Sequence, residues 1–166
     1  LWGTPTYYWS KHKRTNFDWW RKRFKRQFEL VDLLRLDHFR ALAGYWKVSG
    51  KAKNAIDGKW VNSPGREILN ILKKDLKTDY LPIIAEDLGV ITNDVEKLRE
   101  NFELPGMKIL QFAFDGNSDN PYLPKNIKGN NWVIYTGTHD NSTSRSWWEN
   151  LKENVKTKIN EDFTFS

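Results

Sequence analysis

With 166 residues, 39% of them hydrophobic and 14% aromatic, the chain has enough apolar material to bury a core, which excludes an intrinsically disordered segment. Its formal net charge of +6 raises nucleic acid as a partner, while the absence of cysteine excludes disulfides and thiolate metal sites. Only His12, His38 and His139 offer imidazole ligands, too few and too scattered for a zinc site, so neither a metal nor a cofactor is expected.

The chain opens on Leu1, and no charged-then-apolar leader or long apolar run follows, so neither secretion nor a membrane partner is expected. A cytoplasmic or plastid setting is the simplest reading, and both ends read as cut. In chain order, the first regular element is a helix from Asn16 to Val31, in which Phe17, Trp20, Phe24, Phe28 and Val31 recur at three- and four-residue intervals. Asn16 is placed to cap it and Asp18 to favour its first turn. Lys11, Lys13, Arg14, Arg21, Lys22, Arg23, Lys25 and Arg26 then fall mostly on the outer face of an amphipathic helix and its approach. That face accounts for the positive charge, and no nucleic-acid partner is expected.

A strand from Leu33 to Asp37 follows. Residues 41–62 are rich in Gly and Lys, carry the triplets GYW and GKW, and read as one irregular loop flanking a site. Ser63 and Pro64 read as the N-cap and first residue of a helix whose apolar face is Ile68, Leu69, Ile71, Leu72 and Leu76. After a turn near Asp79, the run Leu81 to Ala85 predicts a buried strand that delivers Glu86. Thr92 is placed to cap a helix with Val95, Leu98 and Phe102 toward the core, and Pro105-Gly106 precedes a strand from Lys108 to Phe112. The Asn- and Pro-rich residues 116–131 predict a surface loop. A strand from Trp132 to Tyr135 then leads through the polar turn Thr136 to Asn141 into a helix containing Trp147, Trp148 and Leu151. Four strand-then-connection units in this order predict an α/β chain with parallel strands, half of a (β/α)8 TIM barrel, in a single partial catalytic domain over residues 1–166.

Three acids stand out against this pattern. Asp37 in LLRLDHFR, Glu86 in LPIIAEDLG and Asp140 in WVIYTGTHDN each follow a short apolar, strand-like run. Carboxylates are poor strand residues, and several strands ending in one point to a polar site shared by the strand ends of a parallel sheet. Converging carboxylates are what glycosidic-bond chemistry requires. Arg35 and Asp37, two residues apart on a strand, point to the same side, so the guanidinium stabilises a charged nucleophilic carboxylate. Glu86 leaves an apolar strand, and burial there would favour the protonated form that a general acid needs. Taken singly, each acid has a plainer explanation: Asp37 as the ion-pair partner of Arg35, Glu86 and Asp87 as capping acids, Asp140-Asn141 as a turn or N-cap. Taken together, capping does not explain why all three follow apolar strands.

At these residues the chain resembles the 4-alpha-glucanotransferases, the amylomaltases or disproportionating enzymes of the α-amylase clan. The resemblance runs in order through Leu1-Trp2-Gly3-Thr4-Pro5, RLDHFR at 35–40, AEDLGVIT at 85–92, LPGMKILQFAFD at 104–115 and YTGTHDN at 135–141. Thr4 and Ala41 stand where the family often has Asn and Gly. The resemblance implies a (β/α)8 barrel with inserted subdomains, a metal-free reaction, and transfer of α-1,4-glucan segments to glucose or maltodextrin acceptors through a glycosyl-aspartate intermediate. It assigns Asp37 as nucleophile, Glu86 as general acid/base and Asp140 as transition-state stabiliser, with Arg35, His38 and His139 as supporting contacts. It further implies that this chain is a central-to-late stretch of such a barrel, whose remainder would be its partner.

Among the aromatic residues, Trp2, Tyr45, Trp46 and Trp60 lie in loop-like segments and are the expected stacking platforms for α-1,4-glucans and maltooligosaccharides, while Trp20, Phe24 and Phe28 belong to a helix face. An α-amylase-like hydrolase, or a non-catalytic glucan-binding piece of a barrel, are the alternatives. The same covalent intermediate serves transfer and hydrolysis, and acceptor affinity separates them.

Overall fold

The computed structural model of the chain describes residues 3–163, with side chains to 161; Trp2 therefore lies outside the described residues. The chain falls into two compact units, the first ending at Gly106 and the second beginning at Met107.

In the first unit a short helix α1 (Trp9–Arg14) precedes α2 (Asp18–Phe28). The sequence predicts a start at Asn16 with its side chain as cap, but Asn16 and Phe17 both take left-handed backbone conformations, and no side-chain cap bond forms. A left-handed Phe costs on the order of 1 kcal/mol. Burial of the Phe17 ring, 3% exposed, offsets this and fixes where α2 begins. The basic residues of this region are largely engaged at the surface. Arg21 makes a two-pronged contact with Asp75 (2.6 and 2.8 Å), Lys13 reaches Glu67, Lys22 and Arg26 pair with Asp18 and Glu29, and Arg23 lies over the Trp19 ring.

The first unit's sheets are small and open. Strand β1 (Leu34–Leu36) pairs in parallel with β4 (Ile83–Ala85), with Leu34 opposite Ile83 and Leu36 opposite Ala85. β4 is buried along its whole length, as expected of a parallel strand covered on both faces. The amide of Ala85 also donates to the Pro105 carbonyl (2.8 Å). Between these strands, residues 41–62 are not the irregular loop that their composition predicts. They form an antiparallel hairpin of β2 (Gly44–Val48) and β3 (Gly58–Asn62), entered through a 3-10 turn at Phe39–Leu42. Its central cross-strand pair is Trp46 opposite Trp60, with rings 5.6 Å apart edge to face, an arrangement that stabilises a hairpin despite its Gly and Lys content.

Helix α3 (Gly65–Leu76) follows with Pro64 at its N-cap, one residue later than Ser63-Pro64 suggests, and no side-chain cap. It ends at Lys77, whose left-handed conformation lets the Thr78 amide reach the Lys73 carbonyl. Its face Ile68, Leu69 and Leu72 packs with Phe17, Trp20 and Phe24 of the α2 region, and with Val95 and Leu98 of α4 (Asn93–Asn101), around Phe39, Ile83 and Ala85. Thr92 is the N-cap of α4, as its sequence position predicts, and its hydroxyl hydrogen-bonds the Asp94 carboxylate and holds that carboxyl below its usual range. Helix α3 can approach so closely because its first residue has no side chain: a Cβ on Gly65 would fall on the Leu42 carbonyl. Gly65→Ala is therefore expected to cost about 3 kcal/mol, at the upper end of the range for overpacking. Gly50→Ala, where nothing lies within 4 Å of the added carbon, is the control in a thermal melt and should stay near the parent.

The second unit pairs β5 (Gly106–Ile109) with β6 (Trp132–Tyr135). The sequence predicts a strand at Lys108–Phe112, but strand geometry ends at Ile109 and a 3-10 turn occupies Leu110–Phe112. The surface stretch between β5 and β6 is held by its own side chains. Asp115 and Asn117 each accept from the amide two residues on, and the buried Asn120 donates to the Phe112 carbonyl and accepts from the Tyr122 amide. The Asn117 amide and the Asn120 side chain hold the Asp115 carboxyl below its usual range. Helices α5 (Ser144–Asn150) and α6 (Glu153–Phe163) complete the unit.

Candidate active site

Because β1 and β4 are parallel and in register, the residues that follow them, Asp37 and Glu86, leave neighbouring strands at the same end. The Glu86 amide donates to the Leu36 carbonyl and the Phe39 amide to the Glu86 carbonyl, both at 3.1 Å, which extends the contact past the strands. Immediately after Asp37 the chain turns sharply at His38, whose φ of 47° is left-handed. A non-glycine residue there is strained, and such strain collects at functional sites. The turn aims the His38 amide at Glu86: this N–H donates to Oε2 at 2.7 Å, while Oε1 accepts from the Leu88 amide at 3.0 Å. The Glu86 carboxyl is thus half-buried and held by main-chain donors on both oxygens, not lodged in the apolar pocket that the preceding run suggests.

Asp37 itself is 72% exposed and contacts Arg35 at 2.8 Å, so the expected pairing is present as a surface ion pair, not a buried one. Arg35, Asp37, His38 and Glu86 are in this way brought together in the first unit. Thr92, not Glu86 or Asp87, stands at the N-cap position of α4, where its side chain makes no cap bond, while Glu86 Oε1 closes a local turn by accepting from the Leu88 amide. Asp87 instead is buried against Arg99 of α4, with Oδ2 and Nε 3.2 Å apart.

Asp140 lies in the second unit, on a turn fixed from several directions. Asn141 Oδ1 accepts from the amide and the hydroxyl of Thr138, the Asp140 amide donates to the Thr138 hydroxyl, and Gln111 donates to the Ser142 carbonyl at 3.0 Å. The carboxylate of Asp140 takes no part in closing the turn. It is 83% exposed, with His139 Nε2 at 3.4 Å. Helix α5 is capped by the Thr143 hydroxyl, which accepts from the Ser146 amide, so neither Asp140 nor Asn141 serves as its N-cap.

Of the expected sugar platforms, Trp46 and Trp60 are 42% and 58% exposed on the hairpin, and Tyr45 is half-buried beside them. Two residues beside these segments were not singled out from the sequence: Gln111, which donates to the Ser142 carbonyl behind the Asp140 turn, and Arg40, whose guanidinium donates to the Val90 carbonyl (2.8 Å) and lies over the Trp60 ring at 4.9 Å. The available signal was that Arg40 closes the RLDHFR block and Gln111 lies inside LPGMKILQFAFD. Among the described residues no group of three or more His, Cys, Asp or Glu could hold a metal ion, and no helix is long and apolar enough to cross a membrane.

The chain is thus a mixed α/β one with carboxylates after two neighbouring parallel strands, where strand ends share a polar site. Residues 1–164 match glycoside hydrolase family 77, 4-alpha-glucanotransferase, and the chain belongs to that family. It is 49% identical over 159 residues to the 4-alpha-glucanotransferase of Synechocystis, covering 96% of this chain and 31% of that protein. It is 46% identical to the chloroplastic/amyloplastic 4-alpha-glucanotransferase of Arabidopsis thaliana, covering 95% of this chain and 27% of that one. Its fold superposes on the amylomaltase of Streptococcus agalactiae, solved in complex with acarbose, with a TM-score of 0.87 at 40% identity, over 97% of this chain and 32% of that one. The chain thus spans about a third or less of the length of these relatives.

Proposed function

We propose that this chain carries, as part of a longer enzyme on a (β/α)8 barrel, the catalytic carboxylates of a retaining 4-alpha-glucanotransferase acting on α-1,4-glucans and maltooligosaccharides in a cytoplasmic or plastid setting. In the first step the Asp37 carboxylate attacks the anomeric carbon, the bond to the leaving O4 breaks, and Glu86 gives that oxygen its proton. In the second step the Glu86 carboxylate takes the proton of an acceptor 4-hydroxyl, which attacks the same carbon and releases Asp37. Asp140 is assigned to the hydroxyls of the distorted, cation-like sugar, with Arg35, His38 and His139 as supporting contacts. Trp46, Trp60 and Tyr45 would supply an aromatic wall that favours a sugar acceptor over water.

The observation that carries this reading is the 2.7 Å bond from the His38 amide to Glu86 Oε2, which ties the general acid to the residue next to the nucleophile. Family membership and a solved relative bound to acarbose support the substrate class. The test is incubation of the full-length enzyme carrying these residues with maltotriose. Glucose together with maltodextrins longer than the substrate is the expected outcome. Hydrolysis products alone would replace the reading with an amylase-like one, and binding without turnover would reduce it to a glucan-binding barrel segment.

A further inference from the structure

Arg40 lies three residues after Asp37, in the 3-10 turn that leads into the hairpin. Its guanidinium makes contacts in two directions. One nitrogen, Nη1, donates to the Val90 carbonyl at 2.8 Å, and Nη2 lies 3.5 Å from the Thr92 hydroxyl. Its Cζ also lies over the Trp60 ring of β3, 4.9 Å from the ring centre. Val90 and Thr92 end the stretch that begins at Glu86, so Arg40 bridges the loop carrying Glu86 and the aromatic hairpin. The neighbouring residues reinforce one side of this bridge: the His38 amide bonds the Glu86 carboxylate and the Phe39 amide bonds the Glu86 carbonyl.

A planar guanidinium suits this task, since it can hydrogen-bond in its plane while stacking on a ring above it, and an ammonium cannot do both. Arg40 is half-buried with its Nε shut off from solvent, so its ring contact and hydrogen bonds also contribute to stability. Placement is a different matter, because a displacement of about 1 Å at a reacting group can cost on the order of 100-fold in rate.

We propose that Arg40 is a positioning residue that sets the acceptor platform at Trp60 relative to the loop bearing Glu86. The inference rests on the transferase reading above, and the experiment separates the two. In the full-length enzyme, the parent must first disproportionate maltotriose; if it does not, the functional reading fails and Arg40 is not at issue. Given an active parent, Arg40→Gln is compared with it on two substrates. Maltotriose transfer needs both the proton of Glu86 and a seated acceptor, and should fall roughly 10- to 100-fold. The pre-steady-state burst of 4-nitrophenol from 4-nitrophenyl α-maltotrioside needs neither, because nitrophenolate leaves without protonation, and it should change less than about 3-fold. Equal loss on both substrates would mean that Arg40 only supports the fold, and no loss on either would mean that it positions nothing. If Arg40→Gln does not accumulate as folded protein, Arg40→Lys carries the same test. It keeps the charge and the aliphatic stem, loses the planar fork, and should show the same split between substrates.

Discussion

In the full-length enzyme, Asp37→Ala is expected to lower maltotriose transfer by on the order of 10⁴-fold or more, and azide is expected to restore turnover of an α-maltosyl fluoride with inversion, giving the β-azide. The small anion would enter where the Asp37 carboxylate is lost, on the face opposite the leaving group. Glu86→Ala should behave differently. With a nitrophenyl leaving group its first step needs no proton, so the glycosyl-aspartate should accumulate and azide should resolve it to the α-azide, with net retention. The pair of outcomes tests roles, not mere importance. A β-product from Glu86→Ala with an α-product from Asp37→Ala would exchange the two assignments, and the same anomer from both would remove the two-step mechanism. A factor of 10⁴ corresponds to about 5.5 kcal/mol of barrier, far above what loss of the Arg35 contact could produce through an exposed ion pair. The local geometry gives each variant a simple structural consequence. Asp37 is exposed and held by one side-chain contact, so its removal disturbs little. Glu86 accepts from the His38 and Leu88 amides, so its truncation leaves two donors to be met by water.

What was legible in the sequence follows from which signals are local. The run Leu81–Ala85 is apolar and bounded by turn residues, and it became the buried strand β4, shortened by two residues at its start. The spacing of Phe17, Trp20, Phe24 and Phe28 reported a helix face, yet both ends were misplaced: burial of Phe17 outweighed the capping preference of Asn16, and the helix ends at Phe28, leaving Val31 exposed beyond it. The hairpin at 44–62 was hidden by composition. Its strands contain Gly and Lys and are joined by nine residues, SGKAKNAID, so the alternation is weak, and only the recurrence of GYW and GKW marked the cross-strand pairing of Trp46 with Trp60. At the site, the carboxylates were visible because acids after apolar runs are rare. Their supports were not, since Arg40 and Gln111 act through carbonyls 31–50 residues away, and no local pattern encodes such partners. The parallel pairing of β1 with β4 was anticipated, whereas the sheets themselves are smaller than a row of four strands would form.

Asp87 is the residue most easily misread from sequence, and it carries the largest stability effect expected in the chain. It looks like a capping acid in AEDLG, but its side chain and that of Arg99 are only 5% and 6% exposed, 3.2 Å apart. Arg99 also donates to the Leu104 carbonyl at 3.1 Å, which ties the end of β4, the helix α4 and the segment leading to Pro105 into one buried arrangement. A buried pair gives little net stability against an apolar replacement of the same volume, yet removing one member costs about 3–5 kcal/mol, because Arg99 loses its buried carboxylate and keeps Glu100, 66% exposed and 3.7 Å away. Asp87→Ala should therefore shift the urea midpoint of this chain by roughly 1.5–2.5 M, for a slope of about 2 kcal/mol/M. The exposed pair Arg145–Glu149, 88% and 58% exposed, is the internal comparison, and Arg145→Ala should cost no more than about 0.5 kcal/mol. The double replacement Asp87→Leu with Arg99→Leu should recover most of the loss, less the cost of the Leu104 carbonyl left without its donor. A midpoint for Asp87→Ala indistinguishable from that of Arg145→Ala would show that the pair is hydrated in solution. In that case the end of β4, and with it the placement of Glu86, would depend on the main-chain bonds that Ala85 and Glu86 make with Leu36, His38, Phe39, Leu88 and Pro105.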